Sequence, residues 1–148
     1  FGTGVVDLIM MNHVLEYFTA EQGLKVLRDC RRVIRRDGCV RVVVPDAEKL
    51  ILYYTNSRRG LEGWTASLSD FDEINEPSAA CPTQVGKLCS LLFSGRQAVY
   101  DQETLCHAFE QAGFTPRVCA FRKGHEQILK ETIDMQPVIS CFIEGVPG

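Results

Sequence analysis

Three polar residues with chemically useful side chains follow an apolar run near the start of the chain. Asn12, His13 and Glu16 come after residues 5–11, in which Asp7 is the one charged residue. A run of this length is typical of a strand buried on both faces, and ligands bind open α/β sheets beyond the carboxyl ends of such strands. We therefore predict that His13 is a catalytic residue that polarises an acceptor or removes its proton. The alternative is a histidine at a helix entry that bonds only to backbone.

The other residues with metal or nucleic-acid chemistry form no recognisable site. Cys106 and His107 are adjacent, but they have no second pair of ligands, and the seven cysteines contain no CxxC motif. We therefore predict no metal site. The arginines between positions 28 and 36 fit a solvated helix face, since cations are favoured near a helix C-terminus. With a net charge of −3, the chain is not expected to bind nucleic acid.

The composition describes one domain with an ordinary core. The chain has 148 residues, of which 45% are hydrophobic and 24% are charged. That length suits a single unit, here residues 1–148, and no apolar window reaches the ~18 residues of a membrane span. Residues 1–4 lack the basic region and apolar run of a signal peptide, and the cysteines are scattered and odd in number. We expect a protein of the cytoplasm.

The elements that must position His13 are a strand, a helix and a second strand. Thr19 and Gln22 have the spacing of a capping box, which predicts a helix that begins after Thr19 and ends at Gly38. Residues 39–44 form a second apolar run, which Pro45 ends. The first 45 residues therefore predict a βαβ unit with a right-handed crossover.

The middle of the chain predicts an insertion over about residues 46–98. Asp46 can cap a helix through about Tyr54, and residues 87–93 are the clearest helical segment beyond it. An acidic patch lies at residues 70–76, which we interpret as a solvated loop. An insertion this long without structure would be unusual, so we expect it to be partly helical.

The last third of the chain predicts one helix and two strands. Asp101 caps a helix that Gly113 closes, with apolar residues at helical spacing between them. Residues 117–121 and 138–144 have strand patterns. Residues 122–137 form a polar connection, with a possible helical turn near Ile128.

Three motifs then occur in a fixed order. The first motif runs from Val6 to Tyr17 and contains Val-Asp-Leu-Ile and then Asn-His-Val-Leu-Glu-Tyr. The second runs from Leu27 to Gly38 and is followed by Val-Val-Val-Pro-Asp at 42–46. The third runs from Ala98 to Leu105 and is followed by Glu-Gln-Ala-Gly-Phe at 110–114. This order resembles the later part of class I S-adenosylmethionine-dependent methyltransferases. That family commonly has His-Val-Leu-Glu-His after its fourth strand and RVLKPGG before its fifth.

The chain departs from the family at three places. Tyr17 replaces the final histidine of the first motif, and Arg96-Gln97 stands where related proteins often carry Gly-His-Lys. Gly2 and Gly4 form a Gly-x-Gly, but it precedes a strand, whereas the family's cofactor loop follows one. We therefore expect the glycine-rich cofactor motif to be missing.

The resemblance implies a partial Rossmann-like α/β fold. The family's strand order is 3-2-1-4-5-7-6 with strand seven antiparallel, so this chain is expected to supply 4-5-7-6, with helices 19–36 and 101–112 on one face. The implied cofactor is S-adenosylmethionine. Asn12 and Glu16 at the rim are implied cofactor-binding residues, and His13 lies where methyl donor and acceptor meet.

Two functions follow from these expectations. The first is a methyltransferase-like protein that is incomplete, and weak or inactive alone, so that its status as an enzyme stays open. The second is a non-catalytic oligomerisation or interaction module derived from a methyltransferase. Removal of strands one to three makes residues 5–11 an edge and uncovers one sheet face. We therefore predict a homo-oligomer through that edge or that face, most simply a two-fold dimer.

Overall fold

The computed structural model describes residues 1–58, 83–125 and 139–148. Its strands are β1 (Val6–Asn12), β2 (Ile34–Pro45), β3 (Phe114–Cys119) and β4 (Ser140–Pro147). Its helices are α1 (Ala20–Val33), α2 (Ala47–Arg58), α3 (Gln84–Phe93) and α4 (Gln102–Gln111), with a short 3-10 helix at Leu15–Tyr17.

The four strands form one mixed sheet in the order β1-β2-β4-β3. Strands β1 and β2 are parallel, and β4 is antiparallel to both β2 and β3. The predicted order 4-5-7-6, with its last strand pair antiparallel, is confirmed. Strand β3 begins earlier than the predicted 117, because Phe114 is buried with its ring against Phe109 at 5.4 Å between centroids.

Helix α1 begins as predicted and ends earlier. The Gln22 N–H donates to Thr19 Oγ1 at 3.2 Å, and the Thr19 N–H donates to Gln22 Oε1 at 3.0 Å, which is the capping box. The predicted end at Gly38 is wrong, since the helix stops at Val33 and Ile34 is already extended. Ile34 is buried opposite Val6 in the sheet, and that burial outweighs another turn of helix.

The sheet register is irregular directly after this helix. Val6 pairs with Ile34 and Leu8 with Cys39, so residues 35–38 of β2 lie opposite Asp7 alone. A Cβ on Gly38 would lie 2.6 Å from the Asp7 carbonyl oxygen. Glycine is therefore the residue that lets the two backbones approach this closely.

One sheet face packs against α1 and α4 and is apolar, as predicted. Since side chains alternate along a strand, Val40, Val42 and Val44 share this face. They form one buried cluster with residues of both helices, including Leu27, Leu105 and Phe109. We call this the helix face.

The opposite face of β2 and β4 is also buried, but it contains two charged side chains beside the Phe142 ring. Arg41 is 0% exposed and its Nη1 donates to Glu144 Oε1 at 2.9 Å, and Arg117 also donates to Glu144. Residues 120–125 cross here, with the His125 N–H bonded to Glu144 Oε1 at 2.7 Å. The expectation of an open sheet face therefore does not hold at these two strands.

Two predicted helices of the insertion are confirmed. Asp46 Oδ1 accepts the N–H groups of Glu48 and Lys49 at 3.1 and 3.4 Å, which caps α2, and the helix expected at 87–93 is α3. The acidic patch at 70–76 and the turn near Ile128 lie outside the described residues. Within those residues, every helix is too short or too polar to cross a membrane.

Candidate functional site

His13 lies immediately after β1, at the carboxyl end of the parallel pair. Its N–H donates to the Val43 carbonyl at 2.8 Å, which continues the pairing of β1 with β2. Its φ is +50°, in the left-handed region that side chains other than glycine rarely adopt. The chain therefore turns sharply at His13, and the backbone hydrogen bond holds it there.

Both nitrogens of the His13 ring face other side chains of the protein. Nε2 lies 3.0 Å from Ser140 Oγ, and Nδ1 lies 3.4 Å from Glu16 Oε1. The His13 side chain is 15% exposed. The structure thus brings a hydroxyl to one imidazole nitrogen and a carboxylate near the other, which are groups that can orient a histidine for proton transfer.

Ser140 is the residue that sequence reasoning missed. It is the first residue of β4 and is fully buried, and its carbonyl accepts a hydrogen bond from Lys49 Nζ at 2.5 Å. Because β4 is antiparallel to β2, the start of β4 lies at the same sheet end as His13. The sequence does contain a signal for Ser140. It is the first polar residue of the expected antiparallel strand at 138–144, and the start of that strand belongs at the sheet end where His13 lies.

Glu16 lies in the 3-10 helix and points into the protein. It is 1% exposed, and neither carboxylate oxygen has a hydrogen bond among the described residues. Arg96 Nε lies 3.8 Å from Glu16 Oε1 and balances its charge. The Glu16 carbonyl accepts the N–H groups of Gln97 and Ala98 at 2.8 and 3.2 Å, so this segment is fastened to the 3-10 helix.

Arg96 and Tyr100 complete the surroundings of Glu16. Arg96 Nη1 donates to the Leu91 carbonyl at 2.7 Å near the end of α3, which fixes the guanidinium. Burial raises the pKa of the Tyr100 phenol, and the charge of Glu16 raises it further. Tyr100 is therefore a neutral hydroxyl at physiological pH. The departure from the family pattern at Arg96 supplies the cation that faces Glu16.

The two residues predicted to bind S-adenosylmethionine lie in different surroundings. The Glu16 carboxylate is buried beside His13 and Arg96, and its role in cofactor binding stays a prediction. Asn12, the last residue of β1, lies at the rim beside His13, and its role in cofactor binding stays a prediction. An open pocket of about 560 Å³ lies elsewhere, between α2 and the start of α4.

No metal centre is found within the described ranges. Residues 1–58, 83–125 and 139–148 contain no group of three or more His, Cys, Asp or Glu side chains that could hold an ion. Cys106 and His107 lie on α4, where His107 Nε2 bonds to Gln111 at 2.8 Å. That histidine belongs to a helix surface.

The sheet has the Rossmann-like fold found in solved structures of methyltransferases. A S-adenosylmethionine-dependent methyltransferase from Archaeoglobus fulgidus matches 98% of this chain with a TM-score of 0.53 and 13% identity. A putative O-methyltransferase from Nostoc punctiforme matches 98% with a TM-score of 0.50 and 15% identity. The mitomycin 7-O-methyltransferase matches 100% with a TM-score of 0.51 and 13% identity.

The likeness shows the fold, and it covers only part of each of these proteins. The chain spans 61% of the Archaeoglobus protein, 32% of the Nostoc protein and 31% of the mitomycin enzyme. The resemblance predicted from the motifs is confirmed at the level of fold. No protein-family model matches the sequence, and no curated protein is similar to it.

Proposed function

We propose that this chain is the acceptor-side part of a S-adenosylmethionine-dependent methyltransferase, in which His13 is the base. The position of His13 carries the proposal. Its ring lies at the ligand-binding end of a methyltransferase-type sheet, between a buried carboxylate and a hydroxyl. In this role Nε2 takes the proton that the acceptor loses as it becomes a nucleophile.

We assign the binding of the methyl donor to none of the described residues. Glu16 is turned inward, and the similar enzymes are longer than this chain, by a factor of about three in two cases. The donor contacts are therefore proposed to come from chain outside these 148 residues. We propose that residues 1–148 form a single domain with an insertion over about 46–98, which is weak or inactive alone.

Calorimetric titration with S-adenosylhomocysteine tests this division. The 148-residue chain is expected to give no binding heat at millimolar ligand, because it lacks the donor contacts. Micromolar binding to the folded chain would contradict the proposal that the donor site lies elsewhere.

The role of His13 is tested in any longer form of the protein that binds S-adenosylhomocysteine. His13→Ala is expected to lower the methylation rate by about 100-fold or more, the usual contribution of a general base. His107→Ala is the matched control, since His107 lies on an exposed helix surface. A rate unchanged by His13→Ala, with ligand affinity preserved, would exclude His13 as the base.

A second candidate function is a non-catalytic oligomerisation module, and the position of β1 favours it. Among the described strands β1 is an edge, so one side of its backbone is open to pairing with another chain. Leu8 and Met10 on this strand are partly exposed. We propose a two-fold homodimer through the β1 edge, because the opposite face of β2 and β4 is already buried.

Light scattering during size-exclusion chromatography tests the dimer. Leu8→Lys is expected to give a monomer, because lysine on an edge strand opposes strand pairing. Leu52→Lys on α2 is the control, since Leu52 is also a half-exposed leucine. A monomeric unmodified chain at micromolar concentration would refute the dimer.

We propose a cytoplasmic location, supported by cysteines that are scattered along the sequence and odd in number. The six cysteines of the described residues are free thiols. Burial raises the pKa of Cys39 and Cys141 to about 12 and that of Cys30 to about 11. These three thiols are therefore protonated and unreactive at neutral pH.

A further inference from the structure

We infer that Glu16 and Ser140 are positioning residues for His13. Glu16 keeps the proton on Nδ1, and Ser140 covers the lone pair of Nε2 until its hydroxyl turns away. The inference rests on the proposed function only in naming His13 as the base. The geometry of the three side chains stands without that assignment.

The position of the proton follows from Glu16. The carboxylate accepts hydrogen bonds and donates none, and Arg96 at 3.8 Å stabilises its negative charge. Nδ1 of His13 lies 3.4 Å from its oxygen Oε1, an electrostatic contact that favours a proton on this nitrogen. A neutral imidazole carries one proton, so a proton held on Nδ1 leaves the lone pair on Nε2.

The lone pair is not open to a ligand in this arrangement. Ser140 Oγ lies 3.0 Å from Nε2, and with the proton inferred on Nδ1 the hydroxyl is the donor of this hydrogen bond. The Ser140 backbone is anchored separately, because Lys49 Nζ donates to its carbonyl and the strand pairs with β2. Rotation about the Ser140 Cα–Cβ bond therefore uncovers Nε2 without moving the strand.

The backbone of His13 supports the same interpretation. Its left-handed φ of +50° is costly for histidine, and the hydrogen bond to Val43 maintains it. The turn brings one ring nitrogen to Ser140 and the other near Glu16.

Reaction with diethyl pyrocarbonate, followed by peptide mass spectrometry, tests the cover on Nε2. This reagent attacks an unprotonated imidazole nitrogen, so the assay needs no methyl donor or acceptor. His107 is the internal reference, since its side chain is 66% exposed. We expect His13 to react at least about tenfold more slowly than His107 in the native protein, because a hydrogen bond and burial both protect it.

Ser140→Ala is expected to increase the His13 reaction rate about fivefold, which corresponds to the loss of one hydrogen bond. Cys141→Ala is the matched control, since Cys141 is the next residue of β4, is buried and faces the helix face. Equal increases in both variants, or a native His13 that reacts as fast as His107, would overturn the role of Ser140.

Nitrogen-15 NMR of the histidine rings tests Glu16 and needs no variant at Ser140. We expect the native spectrum of the neutral His13 imidazole to show the proton on Nδ1. Glu16→Gln offers an amide in place of the carboxylate and is expected to raise the share of the Nε2-protonated form. A native proton on Nε2, or a tautomer unchanged by Glu16→Gln, would refute the role of Glu16. Failure of the methylation tests above would leave these readouts unaffected.

Discussion

The two faces of β2 are equally buried but depend on different physical interactions. Val40, Val42 and Val44 alternate along the strand with Arg41 and Val43, and all five are 0% exposed. On the helix face, valines pack against Leu27 and Leu105, so the free energy comes from apolar area that needs no particular orientation. On the opposite face, Arg41 is stabilised by directed hydrogen bonds and by the Phe142 ring, whose centroid lies 5.5 Å from the guanidinium carbon.

The charged face is closed by a set of bonds that depend on one another. Arg41 donates to Glu144 and to the carbonyls of Ala120 and Lys123, and Glu144 also receives Arg117 and the His125 N–H. Removal of Glu144 would leave Arg41, which is 0% exposed, buried without its carboxylate, whereas Arg117 is 58% exposed and would stay solvated. Burial alone therefore does not predict how much a mutation on either face lowers the free energy of unfolding.

Glu144→Ala is expected to have the largest effect, a loss of about 4 kcal/mol in the free energy of unfolding. The reason is that Arg41 stays buried without its carboxylate. Urea denaturation followed by circular dichroism measures the loss.

The double variant Arg41→Met/Glu144→Leu sharpens this result. With both charges replaced by apolar groups of similar size, it is expected to lose at least 2 kcal/mol less than Glu144→Ala, roughly the gain seen when buried ion pairs are replaced. If the double variant were as unstable as the single one, the opposite face would depend on packing in the same way as the helix face.

Leu105→Ala probes the helix face and is expected to cost about 3 kcal/mol, through lost burial and the cavity left behind. The double variant recovers part of the stability lost in Glu144→Ala. At Leu105, a second substitution should recover stability only if it fills the cavity. Leu105→Met is the control and is expected to cost less than about 1.5 kcal/mol, since volume is nearly kept. The same urea measurement checks both, and a strongly destabilised Met variant would contradict this account.

The smallest expected difference between the two faces is in how acid changes the free energy of unfolding. Burial alone would raise the pKa of Glu144, but the bonds from Arg117 and the His125 N–H, together with Arg41, hold it below the ordinary 4.5. A folded pKa below the unfolded one means that stability is present above about pH 4.5 and is lost as pH falls through the folded value.

We expect Glu144→Gln to flatten this loss of stability as the pH falls below about 4.5. Some acid dependence should remain, because the hydrogen bonds to Thr104 also lower the pKa of Asp101. Thermal melts at each pH check it, and parallel curves for both proteins would show that Glu144 contributes nothing to the acid dependence.

The helix face could be predicted from sequence because its signals are local. The capping box at Thr19, the apolar run at 39–44 and the spacing of Leu105 and Phe109 each lie within a few residues. The opposite face could not, because Glu144 lies 103 residues from Arg41 and Ser140 lies 127 residues from His13. In the sequence, Arg41 is one charged residue inside an apolar strand, and nothing near it indicates its partner.

The candidate site could also be predicted only where its residues are close in sequence. Asn12, His13 and Glu16 were predicted together from one motif, and the structure brings them to one rim. The partners that give them a chemical arrangement, Ser140 and Arg96, belong to distant segments. The premature end of α1 was missed because it depends on the pairing of Ile34 with Val6 rather than on any helix signal.

The irregular pairing between β1 and β2 bears on how this protein tolerates changes in length. Four residues of β2, 35–38, lie opposite the single residue Asp7, while the register from Leu8 to Asn12 is regular. One glycine inserted between Arg36 and Asp37 would lengthen a segment that is already out of register and would leave Gly38 against Asp7. The turn at His13 would keep its place, so α1 and its connection can vary in length independently of the rim.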